Sequence, residues 1–374
     1  MKNIAIIGGG IAGLTFSLFL QNQDFNIEIF EKRKNIAELG VSVTLFPNAL
    51  RVYKELGIYE EILKKGRTLE GVYLKSTDGK ILKQTNQKTE IPVICILRSD
   101  LHSILLNHSK LNLHHNCEIT SLKAIENKVE CAFSDGTKKV FDTVIGADGL
   151  NSKVREFVID DKLPIYSGYT MWRGVCNDEF NIDIGGETLG KGKRFGIVPL
   201  NNGKISWWAS QNGENKKHND NIKMRLLDDF KNFHQPISKI INSTENIIIS
   251  PIYDRNIKKG WFKNNIVLLG DSVHPTSPNL GQGACTAIEG AYILAKSIIS
   301  KGLNEEAYNQ YEKYQFPRAE FISNMSRRIG NSRQTESKIK LFLQKFFIKH
   351  LPSSIGENLT NSIIDYDVTT KFKF

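Results

Sequence analysis

The segment Lys2 to Leu20, KNIAIIGGGIAGLTFSLFL, decides the fold of this chain. Lys2 to Ile7 is a short apolar run that breaks at glycine, and Ile11 to Leu20 repeats apolar residues at helical spacing, which predicts strand, turn, helix. Between them Gly8-Gly9-Gly10-Ile11-Ala12-Gly13 fits G-x-G-x-x-G in the setting its mechanism needs. Gly8 allows the tight turn, Gly10 lets the backbone approach a pyrophosphate, and Gly13 lets helix close on strand. Ile11 and Ala12 open the helix whose first amides would meet that anion. A second strand over Asn26 to Phe30 ends at Glu31, 18 residues after Gly13, where a carboxylate can accept hydrogen bonds from an adenosine ribose beside Lys32. Arg33 invites a 2′-phosphate, but Glu31 would repel one, so Arg33 reads as surface charge.

A second segment, Asn265 to Gly283, NIVLLGDSVHPTSPNLGQG, narrows the kind of dinucleotide. An apolar strand from Ile266 to Leu269 ends in Gly270-Asp271, runs through a Pro- and Ser-rich loop and restarts as a helix behind Gly281-Gln282-Gly283. A carboxylate at a strand end suits a chain of hydroxyls, and a glycine-opened helix start suits an electron-rich ring or an anion.

A length of 374 residues suggests about two domains. The 40% hydrophobic and 24% charged content places the chain among globular proteins. No apolar run reaches the ~18 residues of a membrane span, and the glycines at 8, 9, 10 and 13 interrupt what would otherwise resemble a signal peptide. Cys95, Cys117, Cys131, Cys176 and Cys285 are scattered without ligand spacing, so neither a metal site nor a disulfide framework is expected, and a cytoplasmic setting fits. The net charge of +10 is spread along the chain and densest near the C-terminus, which favours general surface charge over nucleic-acid binding.

Along the chain, Pro47 opens a helix through Leu56 and a shorter helix follows from Ile58 to Lys64. Leu69 to Leu97 turns to strands around Asp78-Gly79, and Ser99-Asp100 is expected to cap a helix ending near Ser109. Strands recur at Cys117 to Ala124, Val129 to Ser134 and Val140 to Ile145, with Asp135-Gly136 between the last two. Tyr169 to Val175, Phe195 to Leu200 and Ile205 to Ser210, with the hairpin signal Asn202-Gly203, predict a second, antiparallel sheet, and helices follow at Asn221 to Phe233 and Ile237 to Ile241. The expected fold is α/β: a Rossmann-like dinucleotide domain from residues 1–70, 95–165 and 255–300, an α+β substrate domain from 71–94 and 166–254, and a helical C-terminal region over 301–374.

Three motifs in order make the pattern specific. Gly8 to Gly13, then Gly146-Ala147-Asp148-Gly149 through Arg155, then Gly270-Asp271 resemble the signatures of single-component FAD-dependent aromatic monooxygenases, a p-hydroxybenzoate hydroxylase-like fold. With Arg98-Ser99-Asp100-Leu101, Tyr166-Ser167-Gly168-Tyr169 and Pro278 to Gly283, the chain is most similar to the branch holding urate hydroxylase, salicylate hydroxylase and zeaxanthin epoxidase. That resemblance implies FAD, with Asp271 on the ribityl chain, Pro278, Gly281, Gln282 and Gly283 beside the flavin, Arg98 contacting FAD, and Asp148 and Arg155 serving FAD and NAD(P)H. Asp148 also suits a cap for the helix starting near Asn151. No second G-x-G-x-x-G follows a strand, so NADPH or NADH would visit transiently. The implied reaction is hydroxylation of an aromatic or electron-rich small molecule by O₂ through a flavin C4a-hydroperoxide, without metal.

The resemblance also gives Arg194 as a contact for an anionic substrate, with an internal salt bridge as the alternative. His274, the one histidine inside a motif, is a candidate base, although the resemblance places it in a loop that supports the flavin and so favours a structural role. Trp172, Phe195, Trp207 and Asn279 are the other pocket candidates, with Trp208 beside them. Ser206-Trp207 stands where urate hydroxylases carry a tyrosine and Asn279 where they carry an aspartate, which separates the chain from urate. The rival substrate is a polycyclic antibiotic of the tetracycline type, and the non-enzymatic rival is a flavin-holding redox sensor. No W-x-W-x-I-P-like motif points to a halogenase. Ile339 to His350, IKLFLQKFFIKH, is amphipathic, and packing on the flavin domain is favoured over a membrane surface. Stable membrane insertion is not expected, and the chain would be a monomer or a homodimer.

Overall fold

The computed structural model describes residues 1–34, 41–86, 89–159, 161, 163–214, 221–350 and 360–374. Lys2–Ile7 lies inside a six-stranded sheet ordered Phe262–Lys263, Ile266–Leu268, Thr143–Gly146, Lys2–Ile7, Phe25–Phe30, Asn112–His114. All its pairings are parallel except the Phe262–Lys263 edge. Ile4, Ala5 and Ile6 are fully buried, as expected for a strand covered by helices on both faces. The Ile11–Leu20 helix leaves the strand end and packs against Gly283–Lys301, which in turn packs against the 29-residue helix Glu305–Arg333.

The strand expected over Val140 to Ile145 is in fact two. Lys138–Phe141 belongs to a three-stranded antiparallel sheet with Lys128–Phe133 and Ile119–Ile125, whereas Thr143–Gly146 enters the parallel sheet. Asp142 makes the transfer by exchanging hydrogen bonds with Asn3: its N–H donates to the Asn3 carbonyl at 2.9 Å, and its carboxylate accepts the Asn3 N–H at 2.8 Å. The Arg98–His108 helix also starts earlier than expected. Leu97 occupies the cap position with no side-chain bond, and Asp100 falls in the first turn, where its charge complements the helix dipole.

The second large sheet has seven strands ordered Ile248–Asp254, Ile165–Asn177, Lys204–Asn212, Lys193–Pro199, Gly185–Leu189, Gly71–Ser76, Ile81–Asn86. It is antiparallel apart from the parallel pairing of Gly185–Leu189 with Gly71–Ser76. Alternation gives it two distinct faces. Trp172, Phe195, Ile205, Trp207 and Ala209 form a closed core with Leu226, Ile237 and Ile241 from the helices Ile222–Asp229 and Ile237–Ser243. On the other face Val175 and Val198 pack with Phe46 and with Val93 and Cys95 of a small sheet, Ser42–Leu45, Val93–Leu97, Arg67–Leu69. That face therefore looks toward the parallel-sheet unit. After Glu305–Arg333 come the helix Lys338–His350 and a terminal segment whose Ile363 and Ile364 pack on Ile322.

Candidate active site

The three glycines of the first motif answer to different neighbours. Gly8 has φ +112°, and a Cβ there would lie 2.3 Å from the Ala147 carbonyl oxygen. A Cβ on Gly13 would lie 2.2 Å from the Gly8 carbonyl oxygen, so these two are demanded by the chain itself. Gly10 has no atom within 4 Å of its would-be Cβ. Nothing in the described chain itself requires glycine there, where it is the cap of the Ile11–Leu20 helix. The cleft beside it is lined by Gly8, Gly10, Glu31, Lys32, Arg98 and Asp148. Glu31 is held in place because its carboxylate accepts the N–H groups of Gly9 at 3.0 Å and Arg33 at 2.9 Å.

The second motif stands against the first through the Gly8–Ala147 approach. Asp148 accepts the N–H groups of Lys153 at 2.8 Å and Val154 at 3.2 Å, so it caps the Lys153–Val158 helix together with Ser152. Burial raises the Asp148 pKa, and these hydrogen bonds oppose the rise. Arg155 is 1% exposed and fully engaged. Its guanidinium pairs with Asp161 at 2.9 and 2.6 Å and donates to the carbonyls of Ser272 and Val273, both at 2.9 Å. Arg155 thus bolts the second motif to the third and does not line the cleft, which departs from the cofactor contact expected of it.

Asp271 lies in the short 3₁₀ turn Gly270–Ser272 after the Ile266–Leu268 strand. Gly270, at φ +67°, sits against Ala12, whose Cβ would be 2.9 Å from an added Cβ, so the turn touches the first motif as well. The Asp271 carboxyl is accessible yet crowded by protein. Desolvation raises its pKa and the Arg98 charge lowers it; Arg98 is in turn pushed down by its own burial. The two charges interact without a mutual hydrogen bond among the described residues, and a carboxylate and a guanidinium of that kind suit a polyol and an anion.

The glycine-opened helix start is built in two layers. Gly281, at φ +67°, lies next to Phe46, and Gly283 opens its helix with free space around it. Pro278 begins the turn Pro278–Leu280 and is exposed. The Gln282 side chain turns inward: Asn48 Nδ2 donates to its Oε1 at 2.9 Å and to the buried carboxylate of Glu289, which pairs with Arg318 at 3.2 and 3.1 Å. Gln282 is 1% exposed, and its buried Nε2 has no partner among the described residues. Asn48, Glu289 and Arg318 escaped sequence reading because no local pattern links residues 241 and 29 positions apart.

On the sheet side the expected pocket residues divide. Trp172, Phe195 and Trp207 lie in the helix-packed core, facing away from the parallel-sheet unit. Trp208 lies on the opposite face, its ring over Gly196, where a Cβ would come within 2.2 Å. Arg194 shares that face and stacks over Trp208 at 5.4 Å, but its donors are spent internally. They reach Gln334 at 2.8 Å, Glu187 at 3.1 Å and Asn279 at 2.7 Å. Asn279 also donates to Tyr169 and Ser277, at 3.2 and 3.0 Å. The cation with spare donors is Arg173, which alternates with Trp172. It donates to Ser250 at 2.7 Å, its buried Nε has no partner among the described residues, and burial together with the Arg98 charge pushes its pKa down. Period-2 counting from Trp172 would have found it.

His274 is 1% exposed, and neither ring nitrogen has a partner among the described residues. It lies 5.5 Å from the Trp261 ring, and burial lowers its pKa to about 4. A neutral imidazole enclosed this way is a core residue, not a base facing the cleft. Cys285 is likewise enclosed, its thiol pushed up to about 12 by burial. Among the described residues no helix is long and apolar enough to cross a membrane.

A family model described as an FAD binding domain matches residues 1–328. The chain is 29% identical over 363 residues to an aurachin C monooxygenase/isomerase of Stigmatella aurantiaca, covering 94% of each protein. It is 28% identical to a 3-amino-4-hydroxybenzoate 2-monooxygenase of Streptomyces cremeus, over 87% of this chain and 86% of that one. Among solved structures, Klebsiella pneumoniae HpxO complexed with FAD and uric acid superposes with a TM-score of 0.89 at 21% identity, covering 97% of this chain and 96% of that one. The tetracycline destructase Tet(51) gives 0.72 at 25%, covering 93% and 96%.

Proposed function

The chain belongs to the FAD-binding-domain family, and from that membership we propose an FAD-dependent monooxygenase that uses NADPH or NADH and O₂ to hydroxylate an aromatic or electron-rich small molecule. The observation that carries this reading is the convergence of three motif segments, with open space beside Gly10 and an accessible Asp271 near Arg98. Residues 1–70, 95–165 and 255–300 would form the FAD unit, 71–94 and 166–254 the substrate unit, with 301–374 closing the molecule.

FAD, when bound, supplies the redox chemistry by which a nicotinamide donor and O₂ deliver one oxygen atom to a substrate. The chain supplies placement and electrostatics. Gly10 and the Ile11–Leu20 helix start, with Ala12 and Gly13, take the pyrophosphate; Glu31, backed by Lys32, takes the adenosine ribose. Asp271 accepts hydrogen bonds from the ribityl hydroxyls, and Arg98 neutralises nearby phosphate charge. The amides at Gly281 to Gly283 would sit where a helix start favours negative charge on a bound ring, while Pro278 keeps that turn rigid. On the facing sheet Trp208 offers a flat apolar wall and Arg173 an uncompensated cation, which suits a substrate bearing an ionised oxygen.

A test is NAD(P)H consumption by the FAD-loaded protein across a panel of aromatic acids and phenols, read together with product mass. Substrate-stimulated consumption with a gain of one oxygen atom supports the reading. Flavin binding with no stimulation by any compound would favour the redox sensor.

A further inference from the structure

The Lys338–His350 helix lies on the outside of the seven-stranded sheet, beside Ile81–Asn86, and turns its apolar side outward. Leu341, Gln344, Lys345 and Ile348 are its half-buried positions, and Gln344 is anchored to Ser332 at 3.2 Å. The opposite side carries Ile339, Phe342, Leu343, Phe346 and Phe347, exposed by 73, 68, 44, 48 and 51%. At ~100° per residue these five fall in one arc of about 140°. Lys338 and Lys349 run along one margin of that arc and Lys340 along the other. None of these three lysines has a carboxylate partner among the described residues. The segment Lys338 to His350 contains four lysines and no Asp or Glu.

We propose that this helix is a membrane-surface element, resting its five apolar side chains in the headgroup region of an anionic lipid leaflet while the flanking lysines meet lipid phosphates. An apolar stripe with a basic rim on an otherwise water-facing surface is the pattern of an interfacial helix, which lies in the plane of the bilayer without crossing it. Packing on the flavin domain, the reading favoured from sequence, is not what the helix does: its inner side lies against Ile81–Asn86 of the seven-stranded sheet, and that contact leaves the outer side uncovered. A second copy of the chain is a poorer occupant, because a twofold contact would face the lysine rims of both helices across the interface of a protein already at +10.

The test uses the full-length, FAD-loaded protein in vesicle flotation. Vesicles with about a quarter phosphatidylglycerol should carry the protein, pure phosphatidylcholine should carry far less, and raised salt should release it. Lys338→Gln/Lys340→Gln/Lys349→Gln together should lower the partition coefficient by about 100-fold, taking each lysine near the surface at its usual worth. Phe346→Asp/Phe347→Asp should abolish flotation while leaving circular dichroism and flavin absorbance unchanged, since both side chains are exposed. Absence of flotation with anionic vesicles, equal flotation with neutral ones, or a dimer that dissociates in the Phe346→Asp/Phe347→Asp variant without any lipid binding would each overturn the proposal.

Discussion

Gly8 and Gly10 stand two residues apart and respond to different forces. Gly8→Ala meets the Ala147 carbonyl and a positive φ together, so it should cost about 2 kcal/mol or more of stability, seen as a lower denaturation midpoint with or without FAD. Gly10→Val meets nothing in the chain, so the apo protein should melt normally while FAD affinity falls at least about tenfold, measured by fluorescence titration. A Gly10→Val protein that unfolds early would show that packing, not a ligand, requires this glycine. Asp271 carries the complementary test. Its folded-state pKa is raised by desolvation, so the folded apo protein binds more protons than the unfolded chain above the carboxyl's usual range, and stability falls as pH rises through that window. Asp271→Asn should therefore raise the melting temperature of the apo protein at neutral pH while weakening FAD binding, and a variant that melted lower and bound FAD normally would remove Asp271 from the site. For His274 the sign reverses. A pKa depressed to about 4 from 6.5 means that acid favours the unfolded chain. Its contribution of about 3 kcal/mol is present above pH 6.5 and lost as pH falls toward about 4. His274→Gln should flatten that acid limb in urea titrations and leave the pH profile of kcat/KM unchanged between about pH 6 and 8.

At the scale of elements, the seven-stranded sheet shows what a sequence declares and what it withholds. The strands around Trp172, Phe195 and Trp207 were legible because β-branched and aromatic runs bounded by Asn202-Gly203 are local signals. Which face looks toward the parallel-sheet unit was not, because alternation gives two faces and no sign. The helices Ile222–Asp229 and Ile237–Ser243 decide it by covering the Trp207 side. Trp207 is 1% exposed and donates to Thr244 at 2.8 Å. Trp207→Ala should thus cost about 3–5 kcal/mol in denaturant unfolding. Trp208→Ala should cost less and act chiefly on KM. Equal stability losses with unchanged kinetics would contradict the assignment of the two faces. The same alternation separates the arginines. Arg194 neutralises Glu187 and ties Asn279 to the end of Glu305–Arg333. Arg194→Ala should destabilise by about 3 kcal/mol before it affects substrate binding. Arg173→Gln should leave stability near wild type and raise KM for an anionic substrate about tenfold, with no such change for a neutral analogue. Arg155 teaches the same lesson. Its motif was visible in sequence, but its use as a brace to Ser272 and Val273 depends on a partner 117 residues away.

At the scale of the whole molecule, the end of the chain returns to the layer beneath the glycine-opened helix start. Arg318 donates to the Ile363 carbonyl at 2.6 Å and lies 4.2 Å from the Tyr366 ring. The same guanidinium holds Glu289, which accepts from Asn48, which in turn donates to Gln282. Phe372 stacks on Tyr314 at 4.2 Å, and Asp365 and Asp367 lie within 3.8 Å of Arg51. A continuous polar chain thus runs from the terminal segment to Gln282 at the start of Gly283–Lys301, and none of it follows from periodicity or a motif. Removing residues 360–374 would take away Ile363, Ile364 and Val368, each at most 5% exposed, uncover Ile322 beneath them, and forfeit about 5 kcal/mol of apolar burial. It would also leave Arg318 without one acceptor and without its aromatic cover, while Glu289 stays fully buried beside it. The truncated protein should therefore lose FAD affinity as well as melting temperature, although no terminal residue lines the cleft at Gly10. Arg318→Lys in the full chain separates the two effects: it keeps the charge and the terminal segment but not the forked contact to Glu289. If that variant binds FAD with wild-type affinity in a fluorescence titration while the truncation does not, the terminal segment acts through apolar burial alone and the polar chain carries no coupling to the cofactor site.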